Sequence, residues 1–231
     1  MAFEQQTVGE LVAADYRKAE VFKRHGIDFC CAGGRTVGVA CAKKGVAVDQ
    51  IEEELVNAEQ KDGATEVLPF DSWDPRKLVD YILYAHHSYV RDNIPLLREF
   101  TTKLARVHGH ANPELVEIKS IFDALATELE EHMVKEEEVL FPFIKQSPAV
   151  AATPAFGAIE NSIRMMEDEH ERAGAAMAEI RRLSDNYSPP DHACTTYRVT
   201  YAKLEEFETD LHKHVHLENN ILFPKALAAF S

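Results

Sequence analysis

Apolar residues recur in steps of three and four along four stretches of the chain. One stretch reads Ile118, Phe122, Leu125, Leu129, His132, Glu136, Val139, Phe143. Others read Leu204, Phe207, Leu211, His214, Glu218, Ile221, and Ile163, Met166, His170, Ala173, Met177, Ile180. The first in chain order reads Leu83, His87, Val90, Ile94, Leu97. Such steps keep every named residue on one face of an α-helix. They predict long helices over about 74–107, 113–145, 155–184 and 192–226. Asp74-Pro75, Asn112-Pro113 and Thr153-Pro154 each offer a capping residue followed by proline at the first helical position. Loops fall at 109–112, 148–154 and 185–190, and loops this short make successive helices antiparallel neighbours. Pro95 predicts a kink in the first helix.

Residues 1 to about 60 follow another pattern, short helical pieces broken by Gly26, Gly33, Gly34, Gly38 and Gly45. One helix is expected to end at Gly26 and another to start after Thr36; Asp49 with Glu52 resembles a capping box opening a third. Lys61 through Pro69, with Asp71-Ser72, read as a linker. The expected fold class is all-α, a four-helix up-down-up-down bundle over 74–231 preceded by a small helical domain over 1–62.

The stripes are unusual in what interrupts them. His87, His132, Glu136, His170, His214 and Glu218 occupy slots where an apolar side chain is expected, and no Lys or Arg shares those stripes. A buried carboxylate without a counter-charge costs several kcal/mol, roughly, so a cation is the expected remedy. A single histidine on an apolar face is ordinarily a hydrogen-bonded core residue, and a single H-x3-E an ordinary surface pair. Duplication changes the weighting. The string H-x3-E-x3-L-F-P occurs at His132 and again at His214, and His87 and His170 precede the two copies by 45 and 44 residues. Four imidazoles and two carboxylates from four helices match a dinuclear carboxylate site in a bundle. One zinc takes four ligands, and H-E-x-x-H is absent. Nitrogen and oxygen donors suit iron, manganese or zinc.

Composition narrows the partners. The chain has 231 residues and a net charge of −14, with 39 acidic against 25 basic side chains. Phosphate backbones and anionic lipid surfaces both select basic surfaces, so neither nucleic acid nor a membrane is expected as a partner. The N-terminus lacks the basic and apolar regions of a signal peptide, and no stretch reaches membrane-spanning length. Four cysteines without scaffold spacing suit a reducing cytoplasm.

Cys30-Cys31, among glycines and near Arg35, are expected as exposed thiols of lowered pKa, able to bind iron, a nitrosyl or a partner thiol; the plainer alternative is two small residues packed in a turn. Cys41 and Cys194 are expected to be buried. His87 is favoured over His86 for the core, and His212 and His216 are expected on the surface. Glu137 and Glu138 are expected to point outward; Glu169 and Asp168, beside His170, are expected either to accept from it or to be solvated charges, with solvation favoured for Asp168. Tyr84 and Tyr89 are expected near His87, as core packing or the lining of an access channel.

The chain resembles the "repair of iron centres" di-iron proteins, which carry a hemerythrin-like domain. The resemblance rests on His87, on "HMVKEEEVLFP" with His132 and Glu136, on "MEDEH" with His170, and on "HVHLENNILFP" with His214 and Glu218. "GIDFCCAGGRTV" at 26–37 resembles the family's short N-terminal domain, and "ACTTY" at 193–197 is also similar. The resemblance implies two iron ions, oxo- or hydroxo-bridged, with the four histidines on the irons and Glu136 and Glu218 bridging. It implies a stress-response role in which iron is supplied to damaged iron–sulfur proteins. The alternatives it leaves open are reduction or scavenging of nitric oxide, and sensing or storage of a diatomic gas. A homodimer is compatible with the sequence but not readable from it.

Overall fold

The computed structural model describes residues 3–60, 68–146 and 155–230. Residues 61–67 of the expected linker, and the whole expected loop 148–154 with its Thr153-Pro154 start, lie outside the described residues. Among the described residues the secondary structure is helical, apart from one isolated bridge between Thr7 and Thr36. The chain forms two compact units, Met1–Val79 with Lys213–Ser231, and Asp80–His212.

The second unit is a four-helix bundle. α6 (Ser88–His108) packs on α7 (Glu114–Lys135), and α7 on α9 (Ala155–Leu183). α10 (Thr195–Leu217) closes the bundle: Phe207 stacks edge-on against Phe122 of α7 at 5.6 Å and lies 6.2 Å from Tyr89 of α6. Glu208 on α10 is fully buried and accepts from the Arg181 guanidinium of α9 at 2.5 and 2.9 Å. Between α9 and α10, Asp185, Asn186 and Tyr187 all have left-handed φ values of 50–57°, a conformation costly for side chains larger than glycine. Tyr187 is buried there, and its amide donates to the Ser184 hydroxyl.

The first unit starts with α1 (Val8–Ala14), opened by a capping box between Thr7 and Glu10. α2 (Lys18–Arg24) ends before Gly26, whose φ of 62° suits glycine. α3 (Val37–Lys44) starts after Thr36, whose hydroxyl accepts from Val39 N. α4 (Val48–Gln60) begins one residue before Asp49, which therefore lies inside the helix rather than ahead of it. Glu52 instead accepts from the Phe3 amide at 2.9 Å. Val8, Leu11, Phe22, Val37, Cys41, Ile51 and Leu55 make the core of this part.

The long helices differ from simple α-helices in one respect. Three carry a π-turn, at Leu83–His87, Glu136–Leu140 and Glu218–Leu222. The first long helix is thus α5 (Pro75–Ile82), a π-turn and α6; the second is α7, a π-turn and α8 (Phe141–Lys145); the fourth is α10, a π-turn and α11 (Phe223–Phe230). Asp74 caps the first as expected, donating no proton but accepting from Lys77 N at 3.0 Å. Asn112 does not cap the second; its amide turns back to the His108 carbonyl at 3.4 Å. α6 continues through Pro95. A π-turn holds one residue more than an α-turn, so the buried stripe shifts by one position behind it. Val139 is 62% exposed, against expectation, while Leu140, Phe141 and Ile144 are buried.

Candidate metal centre

Glu136 is the pivot of the bundle's polar core. It is the first residue of the second π-turn and is completely buried. The Nε2 atoms of His87 and His132 lie 3.3 and 3.4 Å from its Oε2. His170, from α9, brings its Nε2 to 3.0 Å from that of His132. Within this unit, the ligand atoms of His132, Glu136 and His170 all lie within 4.8 Å of one another. Two imidazole nitrogens held at right angles by one ion, about 2.1 Å from it, are about 3.0 Å apart. The donor set and its spacing therefore fit a metal.

The outer ring nitrogens are held separately. His87 Nδ1 is 2.6 Å from Glu137 Oε1, and His132 Nδ1 is 2.8 Å from Glu169 Oε2. A carboxylate only accepts, so each Nδ1 carries the proton and each Nε2 is turned toward Glu136. Cations pin both acceptors: Arg91 donates to Glu137, and Lys135 to Glu169 at 2.5 Å. Burial alone would raise both carboxyl pKa values, but the hydrogen bonds from His87 and Arg91, and from Lys135 and His132, hold them below the usual range.

These contacts correct three expectations. Glu137 does not simply point outward but serves His87, Glu169 serves His132 rather than His170, and His86 is buried beside its neighbour, with Nδ1 2.9 Å from Asp210. Asp168 and Glu138 are exposed, as expected. Tyr84 is 83% exposed, so it neither packs in the core nor lines a channel. Tyr89 is half-buried, and burial pushes its phenol pKa up.

In the first unit, His214 and Glu218 repeat the pattern. Both are buried, and His214 Nε2 lies 3.0 Å from Glu218 Oε1. The opposite face of this helix is engaged too. His216, expected on the surface, is buried between Phe29 and Tyr16, with Nδ1 3.4 Å from the Phe29 carbonyl oxygen. Burial lowers its pKa to about 4. Asn220 donates to the Cys30 carbonyl at 2.9 Å. Cys30 is buried rather than exposed, and its neighbour Cys31, burial and Asp28 all push its thiol pKa up, the reverse of the expected activation. Cys31 is half-buried and Cys41 buried. Cys194 is exposed, not buried, its Sγ 3.5 Å from His108 Nε2.

A helical bundle whose core holds converging imidazoles and carboxylates belongs to the class of bundle metalloproteins. The chain belongs to the hemerythrin HHE cation binding domain family, whose model matches residues 78–226 and so spans all four histidines and both glutamates. A second model, the ScdA_N domain, described as a domain of unknown function (DUF542), matches residues 4–59. The chain is 38% identical to the iron-sulfur cluster repair protein YtfE of Enterobacter sp. (strain 638), with 99% of each chain covered. It is 37% identical to the same-named proteins of Escherichia coli O81 (strain ED1a) and Escherichia fergusonii, again over 99% of each. Among the described residues no helix is long and apolar enough to cross a membrane.

Proposed function

We propose that this is a cytoplasmic di-iron protein that repairs damaged iron–sulfur clusters by supplying iron. The observation that carries the reading is the wholly buried Glu136 with two histidine Nε2 atoms within 3.4 Å, inside a family domain that takes cations. The ligand set is His87, His132, Glu136, His170, His214 and Glu218. His214 and Glu218 belong to it because they stand 82 residues after His132 and Glu136 in the same string and are as deeply buried. The names of the relatives, alike over 99% of the chain, support iron–sulfur proteins as recipients. The functional division is a thiol-bearing domain over 1–62 and a metal domain over 74–231, supported by family-model matches to 4–59 and 78–226.

A pair of irons held by these residues would supply redox-controlled retention, because ferric ions hold such donors more tightly than ferrous ions. The chain's residues do the rest. Glu137 and Glu169 keep the protons on the outer ring nitrogens and so present neutral Nε2 donors inward. Glu136 and Glu218 offer two oxygens each, enough to bridge. The aromatic and aliphatic residues of the bundle keep bulk water from competing.

Anaerobically purified protein, analysed for metal and by Mössbauer spectroscopy, should hold two irons per chain. Fewer than two after careful reconstitution would overturn the di-iron centre. The loaded protein should restore activity to an apo iron–sulfur enzyme faster than equal free iron does; equal rates would overturn delivery. Nitrous oxide released over many turnovers from nitric oxide would instead make the protein an enzyme.

A further inference from the structure

The turn that carries the adjacent cysteines has metal-site geometry of its own. Cys30 Sγ and Cys31 Sγ are 3.8 Å apart, and Cys30 Sγ is 3.3 Å from Asp28 Oδ1. The three ligand atoms lie within 4.8 Å of one another. Two thiolates at about 2.3 Å from one tetrahedral ion sit about 3.8 Å apart, and a carboxylate oxygen at about 2.0 Å sits about 3.5 Å from each. The sulfur–sulfur and the Cys30–Asp28 separations are already close to those values, and the third lies within 4.8 Å.

It is also held there. Asp28 Oδ1 accepts from the amides of Cys30 and Cys31 at 3.0 and 2.9 Å, fixing the carboxylate against both residues. Asn220 grips the Cys30 carbonyl from the last long helix. Behind the turn, Gly9 N donates to Gly33 O at 2.7 Å. A Cβ on Gly33 would come within 2.7 Å of the Phe29 carbonyl and 2.3 Å of Asn220 Oδ1, so only glycine fits. A site assembled before its ion arrives loses less freedom on binding.

We propose that Asp28, Cys30 and Cys31 form a second metal site, sharing no ligand with the histidine–glutamate set, for one divalent thiophilic cation such as ferrous iron or zinc. Two sulfurs with one harder oxygen suit a borderline divalent ion better than a cuprous one. Binding exchanges the two thiol protons for the ion and releases both to solvent, with no oxidation or reduction. Three protein donors leave a fourth position open, as in sites that exchange a ligand. In the repair reading above, this is the station from which iron leaves; binding itself does not rest on that reading.

The test uses full-length, reduced protein with its histidine–glutamate site filled with iron, titrated anaerobically with cobalt(II). Thiolate coordination gives a near-ultraviolet charge-transfer band that nitrogen and oxygen donors do not. One equivalent should saturate the band, and Cys30→Ser and Cys31→Ser should each abolish it. Asp28→Asn keeps an oxygen for the two amides and so preserves the turn, but should weaken binding about 10- to 100-fold. Absence of the band, its survival in both serine variants, or unchanged affinity in Asp28→Asn would overturn the site. Iron content and Mössbauer spectra of the same samples report the histidine–glutamate centre separately, so either idea can fall without the other.

Discussion

A carboxylate buried without charge compensation would be a defect, and the neutral imidazoles beside Glu136 supply no charge, so the compensation has to come from a cation held with them. Two imidazoles face it at 3.3 and 3.4 Å, and each is oriented from behind by a glutamate that is itself tied to a cation. Partners of this kind tune a ligand rather than supply one. Glu137→Gln should therefore lower metal affinity about 10- to 100-fold, measured by competition with a chelator, while far-ultraviolet circular dichroism stays unchanged. An affinity equal to the parent's would show that Glu137 does nothing for His87. The burial of the six histidine and glutamate positions was legible because periodicity reports the face a residue occupies. The roles of Glu137 and His216 were not. Glu137 lies inside a π-turn that a count of 3.6 residues per turn does not anticipate. His216 is covered by Phe29 and Tyr16, 187 and 200 residues away in sequence, and no local period announces a distant lid.

At the scale of elements, the described helices end within a few residues of expectation; Asp74 caps the first, while Asn112 leaves the second uncapped and Pro113 alone marks its start. Their internal irregularities were not expected. The π-turns at Glu136–Leu140 and Glu218–Leu222 occupy equivalent places in the two copies of the repeat, each starting on a glutamate, and the third ends on His87. π-Turns cost helix hydrogen-bond geometry and collect at functional sites, where they re-aim side chains. Here the phase shift can be read by substitution. Val139→Asp should change stability by less than about 0.5 kcal/mol, as at any exposed position. Leu140→Ala should cost about 2–5 kcal/mol in urea unfolding. The unbroken stripe of the sequence predicts the opposite order, so a costly Val139→Asp with a mild Leu140→Ala would remove the π-turn from this account.

For the molecule as a whole, metal and fold are one equilibrium. An ion bound by the native chain and not by the unfolded one stabilises the native state, by an amount that grows with the logarithm of free ion concentration. Protein stripped by a chelator should melt at a lower temperature than the loaded form, with far-ultraviolet helix content largely kept below the transition. Equal melting temperatures in calorimetry would mean that the buried carboxylates find their compensation without metal. The net charge of −14 adds a long-range bias in the same direction, drawing cations toward the surface.

The last long helix is two-faced over a single turn and a half: His214 and Glu218 point one way, while His216 and Asn220 clasp the cysteine-bearing loop on the other. It is therefore a common spine. Reciprocity obliges whatever free energy an ion contributes by stiffening that spine to reappear as resistance to opening the loop, and anything that opens the loop to loosen the ion by the same factor.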